Sequence, residues 1–194
     1  MSSMAIARKP SRGEQRSDAA RNREALVRAA TAAVHREGLK VPMATIAADA
    51  GGGIGTLYRH FPTREDLLNS LTQRSFGQVL SNAQAAERDG TTASDALRRF
   101  IEAAIAQRNE LVLPLHGGPP VTAAETLAVR DQVHHTLQRI IERGRTDATV
   151  SQDVTPRDVV VFGAMLAQPR QSDPEWDATC RRLLATYVNG LKAC

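Results

Sequence analysis

Apolar residues recur at helical intervals along almost the whole chain. Leu26, Ala29, Ala30, Ala33 and Val34 form one stripe of a helix expected to begin at Asp18 and to stop at Gly38. After a short link, Leu39 to Pro42, a second helix is expected from about Met43 to Ala50, turning Ile46 and Ala47 inward and ending at Gly51. A third runs from about Ile54 to His60, and Phe61-Pro62 ends it. Thr63, with Asp66 three residues on, has the pattern of a capping box. The helix it caps repeats Leu67, Leu68, Leu71, Phe76, Val79 and Leu80 at helical spacing up to the break at Asp89-Gly90. Longer helices are expected over Ala93 to about Asn109, Val121 to about Arg145, Pro156 to about Gln168 and Pro174 to Leu191. Between the first two of these lie a short apolar piece, "LVLPL", and "HGGPP", whose glycines and prolines exclude a helix. Nowhere does the pattern alternate with the period of a paired strand, and no internal repeat appears. The expected class is all-α.

Composition agrees. Helix formers dominate, aromatic residues make up 4%, and 194 residues with 42% apolar content are enough for a sizeable core. No apolar run of 18 residues predicts a membrane span, and the basic N-terminus lacks the apolar centre of a signal peptide. Cys180 and Cys194 do not have ligand-type spacing and read as plain thiols in a reducing compartment. Localisation is therefore expected to be cytoplasmic, and nucleoid-associated if the chain meets DNA.

Charge changes the picture more than composition does. The net charge is +4, but residues 1–64 hold eleven Lys/Arg against five acids, while the remaining residues hold fourteen against sixteen. A basic head on a near-neutral body suits a polyanionic partner. Within it, residues 1–17 have no periodicity and read as a disordered arm, whose Arg8, Lys9 and Arg12 either follow a groove or stay unbound. The expected division is an arm at 1–17, a head at 18–62 and a body at 63–194.

The stretch "DAGGGIGTLYRHFPTRED" separates two short helices by a tight glycine turn, the helix-turn-helix pattern. Gly51 is expected to adopt a left-handed conformation, Gly52 and Gly53 to keep the turn free of steric conflict, and Gly55 to let backbone approach another surface closely. Beyond apolar Leu57 and Phe61, which read as core, the second helix offers Thr56, Tyr58, Arg59 and His60 as partners for phosphates and base edges.

The segment "VPMATIAADAGGGIGTLYRHFPTREDLL" resembles the DNA-binding signature of the TetR family of bacterial transcriptional regulators, and the match extends over residues 18 to 68. Ile46-Ala47, Ala50-Gly51, Gly55-Thr56-Leu57-Tyr58, His60-Phe61 and Arg64 stand at the family's spacing. "GIGTLYRHFPTRE" together with "TPRDV" is similar to the SbtR-like subgroup. Family members commonly have Val then Ser where this chain has Gly52 and Gly53, which removes an apolar contact and a phosphate-binding hydroxyl. The resemblance implies a DNA-binding set of Thr45, Gly55, Thr56, Tyr58, His60 and Arg64, with Tyr58 and Arg64 on phosphates. Arg59 is added as a base reader, since Arg to guanine is the commonest specific contact.

For the body the resemblance implies an effector pocket in the middle helices and a four-helix dimer contact made by the last two. Expected pocket residues are Phe76, Leu80, Phe100, Ile101, Ala104, Leu111, Leu115, Val133 and Leu137, each of which equally suits an ordinary core. The "HGGPP" break is expected to leave a gap or entrance beside them. Val160, Ala164, Trp176, Leu183, Leu184, Tyr187 and Leu191 are the expected dimer contacts. His116, His134 and His135 match no metal-ligand spacing, and no catalytic constellation or cofactor motif appears.

These expectations amount to a homodimeric, non-enzymatic regulator, a repressor released from a palindromic operator by a small molecule. A DNA-organising protein without an effector and a helical small-molecule-binding protein are the alternatives.

Overall fold

The computed structural model describes residues 12–168, 173 and 175–192. All regular structure among them is helical: α1 (Arg12–Glu37), α2 (Met43–Asp49), α3 (Ile54–His60), α4 (Arg64–Asp89), α5 (Ala93–Ala106), α6 (Ala124–Thr146), α7 (Pro156–Leu166) and α8 (Trp176–Gly190), with a 3-10 turn at Pro114–His116. The all-α architecture of a three-helix head on a helical body is the one expected.

The main departure is at the N-terminus. Helix α1 begins at Arg12, so residues 12–17, expected in the arm, are helical. Arg8 and Lys9 lie outside the described residues, as do Pro174 and Cys194. Helix α5 stops at Ala106, where turns at Gln107–Glu110 take over, α6 starts only at Ala124, after a loop holding Pro119 and Pro120, and α7 stops at Leu166.

Local chemistry fixes the starts and stops. Thr63 Oγ1 accepts the Asp66 N–H at 3.0 Å while Asp66 Oδ2 accepts the Thr63 N–H at 3.0 Å, a closed capping box. Thr155 and Asp158 repeat that box before α7, where Pro156 supplies the first-turn φ. Gly38 and Gly51 end α1 and α2 with φ of +83° and +68°, a conformation in which a side chain is strained.

Two cores result. The head core unites Leu26, Val27 and Ala30 of α1 with Met43, Ile46 and Ala47 of α2 and Leu57 of α3. It is completed by Leu67 and Leu71 of α4 and by Val112, which arrives from the body. The boundary expected at residue 62 therefore runs beside a helix that both units share. The body core joins α4 through α8, among them Leu97, Ile101, Leu137, Ile140, Val159 and Leu184. In its last turn α6 has no side chain at Gly144: a Cβ there would stand 2.4 Å from Val150 Cγ2 and 2.7 Å from Ala93 Cβ.

Candidate nucleic-acid interface and effector cavity

The glycine turn leaves one face of α3 free. Leu57 and Phe61 are buried in the head core, whereas Ile54 and Tyr58 are 43% and 47% exposed. Arg59 is also exposed, its Nε donating to the Gly55 carbonyl at 3.3 Å. No hydrogen bond engages the N–H groups of Gly53, Ile54 and Gly55 among the described residues. Only Gly51 is required by backbone conformation. A Cβ at Gly52 would meet Ala47 O at an ordinary 3.9 Å, and at Gly53 and Gly55 it would meet nothing within 4 Å. The expectation that Gly52 and Gly53 relieve steric conflict is thus corrected: the turn has room for side chains there. At Gly55 the open space lies outside the protein, so its missing side chain exposes backbone rather than easing packing.

The other candidates divide. Thr56 is half-buried on α3 and Thr45 half-buried on α2. His60 lies beside a polar groove of about 390 Å³, shared with Arg23, Asp66, Ser70 and the start of α6 at Ala123, Glu125 and Thr126. Arg23 crosses this junction, its guanidinium 5.1 Å from the Phe61 ring centroid and donating to Ser70 Oγ at 2.8 Å. Arg64 Nη1 donates to the carbonyls of Leu39 at 3.2 Å and Val41 at 2.5 Å. Its guanidinium therefore ties the α1–α2 link to α4, a role the sequence did not suggest.

In the body, a cavity of about 650 Å³ opens between α4, α5, α6 and α7. Of the expected pocket residues, Phe76, Phe100, Ala104, Leu111, Leu115 and Val133 line it. Leu80, Ile101 and Leu137 do not: Ile101 and Leu137 are fully buried in the body core, and Leu80 packs against it. The "HGGPP" segment forms part of the cavity wall through His116 and Pro120. His116 and Gly118 donate backbone N–H groups to Leu113 O at 2.9 and 2.8 Å, and Gly117 turns with φ +78°. A Cβ at Gly118 would stand 2.7 Å from the Leu113 backbone, so this compact turn depends on glycine.

Sequence reasoning missed the cavity's polar side, formed by Arg130, Asp131, His134 and Arg157. Burial, then the positive charge of Arg130, push the His134 pKa down; His135 and Arg157 add to this and Asp131 opposes it. Arg130 and His134 stand four residues apart on the face that also carries Val133 and Leu137, and that polar pair beside the α6 stripe was the available signal.

Cavity and head meet at two adjacent residues. Leu111 lines the cavity and Val112 enters the head core. Ser75 of α4 accepts the Val112 N–H at 2.8 Å. His35 of α1 lies by the Leu111 backbone, and burial pushes its pKa down. His116 donates its Nε2–H to the Ala164 carbonyl at 3.1 Å; burial lowers its pKa, and nearby His35 lowers it further.

The expected dimer residues also divide. Leu184 and Leu191 are 3% and 2% exposed within a single protomer, so they serve its own core and are withdrawn as contacts. Tyr187 stacks on Phe162 at 3.9 Å between ring centroids, with burial raising its pKa to about 12. Trp176 is half-buried against the body core, and Val160 and Ala164 line the cavity. Leu183 remains 45% exposed, and Met165, not anticipated, 62% exposed.

Among the described residues no helix is long and apolar enough to cross a membrane, and no three His, Cys, Asp or Glu side chains group as metal ligands.

Residues 26–71 match the family model described as bacterial regulatory proteins, tetR family. That span begins at Leu26 and ends at Leu71, both residues of the head core. Among solved structures, a TetR transcription regulatory protein from Mycobacterium vanbaalenii is 25% identical, with a TM-score of 0.64 over 92% of this chain and 99% of that one. A TetR transcriptional regulator from Streptomyces coelicolor is 26% identical, with a TM-score of 0.58 over 88% and 98%. A tetR-family regulatory protein from Rhodococcus RHA1 is 19% identical and superposes with a TM-score of 0.71 over 89% and 98%. The chain thus carries a tetR-family domain and has the fold of TetR-family regulators. Nothing in these matches singles out an SbtR-like subgroup.

Proposed function

We propose that this chain is a homodimeric, effector-responsive transcriptional regulator that represses from a pseudo-palindromic DNA site. The observation that carries the reading is the Leu111–Val112 junction: one residue lines the cavity and the next completes the core on which α3 is mounted. A molecule that shifts Leu111 moves a residue of the head core, and with it the angle at which α3 is presented. The fit of two α3 helices to half-sites about 34–36 Å apart is sensitive to such a tilt. The shift in DNA affinity is bounded by the effector's differential affinity for the two arrangements.

In this reading Tyr58 and Arg59 meet phosphates and base edges from the free face of α3. Thr56, Gly55, Thr45 and His60 flank them, and Arg64 acts chiefly by holding the head together. Leu183 and Met165, exposed on the last two helices, supply apolar surface for a second copy. The SbtR-like likeness rests on "GIGTLYRHFPTRE" and "TPRDV" alone and is proposed on that footing.

The test is binding to the duplex upstream of the chain's own gene and its neighbours, against unrelated duplex, across a salt series. A specificity ratio of about 10³ or more supports a regulator. Equal binding to all duplexes would favour a DNA-organising protein, and no binding in low salt would sink the DNA reading.

A further inference from the structure

We infer that the cavity takes an apolar molecule bearing a single anionic group, held by Arg130 and Arg157 at one end while its apolar body lies against Phe76, Phe100, Leu111 and Val133. This rests on the reading of the cavity as an effector pocket and names the chemistry of its ligand.

The volume exists because small residues face it. Ala104 of α5 and Ala164 and Ala167 at α7 stand where larger side chains would fill the space. About 650 Å³ lies within the range of pockets that enclose drug-sized molecules. Over the apolar walls a neutral hydrocarbon gains burial energy but meets nothing that orients it.

Charge supplies the orientation. Arg130 on α6 and Arg157 at the start of α7 both reach the cavity. Of the nearby acids, Asp131 pairs with Arg130 at 3.1 Å, as an exposed neighbour in sequence. Asp158 Oδ2 is committed to the Thr155 N–H and hydroxyl in the α7 capping box. Among the described residues no hydrogen bond or ion pair engages the Arg157 guanidinium. Asp131 is thus taken up by Arg130 and Asp158 by the Thr155 cap, which leaves the Arg157 guanidinium at the cavity with its donors uncommitted. Planar guanidinium donors match carboxylate and other oxyanion geometry, and such pairing is stronger beside an apolar cavity than in open water. A cationic ligand meets the opposite field.

The experiment uses the full chain and a set of probes matched in chain length: decanoate, decyl sulfate, 1-decanol and decylammonium, each below its micelle concentration. Binding is followed by calorimetry, and DNA affinity is measured in parallel. We expect decanoate or decyl sulfate to bind about tenfold or more tightly than decanol, with decylammonium weakest. The better of the two anions separates a carboxylate from a larger oxyanion. Arg157→Gln and Arg130→Gln, both surface changes, should bring the anion to within about threefold of decanol and leave decanol binding as it was. Decanol or decylammonium binding as well as the anions would overturn the inference, as would an anion preference that survives in the double variant. If none of the four binds, the pocket reading falls with it. If the anion binds as expected but DNA affinity does not change, the inference stands and the effector role of the pocket fails.

Discussion

The buried hydroxyl of Ser75 accepts the Val112 N–H at 2.8 Å while donating to the Leu71 carbonyl at 2.9 Å. One side chain on α4 thereby fixes the chain between cavity and head, one turn beyond Leu71, which is itself part of the head core. Ser75→Ala leaves the Val112 N–H buried without that partner. We expect a loss of about 1–3 kcal/mol in denaturant unfolding. The DNA response to a cavity ligand should fall further than basal DNA affinity does. A variant with unchanged response would show that the junction is not the path.

Neighbouring positions on α3 should separate stability from binding. Leu57 is fully buried, so Leu57→Ala should cost about 2–5 kcal/mol. Tyr58→Ala should leave stability within about 0.5 kcal/mol and weaken DNA binding instead. Paired measurements of unfolding and DNA affinity check this, and equal stability losses at both positions would contradict the assigned faces.

Arg64 holds two carbonyls of the α1–α2 link. Arg64→Ala should therefore destabilise the protein by about 1.5–3 kcal/mol, as hydrogen bonds from a charged donor do. Were Arg64 only a phosphate contact, the variant would unfold like the parent and only the salt slope of DNA binding would drop, by about one.

Acid should loosen the junction. His35 and His116 both have pKa values below the ordinary 6.5, chiefly through burial. The folded state therefore prefers them neutral, while the unfolded chain takes up protons near 6.5. Their stabilising contribution is complete above pH 6.5 and is lost as pH falls through the lowered folded values. Unfolding midpoints between pH 7.5 and 5.5 should fall, and His35→Gln should flatten that slope. An unaltered slope would exclude His35 as a source.

Gly144→Ala tests packing far from either site. The added methyl would stand 2.4 Å from Val150 Cγ2 and 2.7 Å from Ala93 Cβ. Although alanine favours helix, we expect a net loss of about 1–3 kcal/mol, because the neighbours must shift. Gly53→Ala, whose Cβ meets nothing, should change stability little by comparison. Thermal unfolding of the two variants is sufficient.

Much of this molecule is local in origin, and that part was legible in the sequence. The capping pair Thr63–Asp66, the stops at Gly38 and Gly51 and the stripe of α4 depend on residues within a turn or two of one another, so spacing alone determines them. The bounds of α3, Ile54 to His60, follow from the glycines before it and Phe61-Pro62 after it. The buried and exposed sides of that helix, Leu57 against Tyr58, follow from period. What only the tertiary structure decided is which apolar residues face space and which face one another. Phe100 and Ile101 are adjacent on α5, yet one lines the cavity and the other is sealed in the core. Leu184 and Leu191 read equally well as contacts for a second copy, and packing of the protomer buries them. Arg157 and Arg130, 27 positions apart, share a cavity because α6 packs on α7. Val112 belongs to the head because the chain folds back over α4. Such relations are set by long-range packing, which periodicity along one helix does not encode.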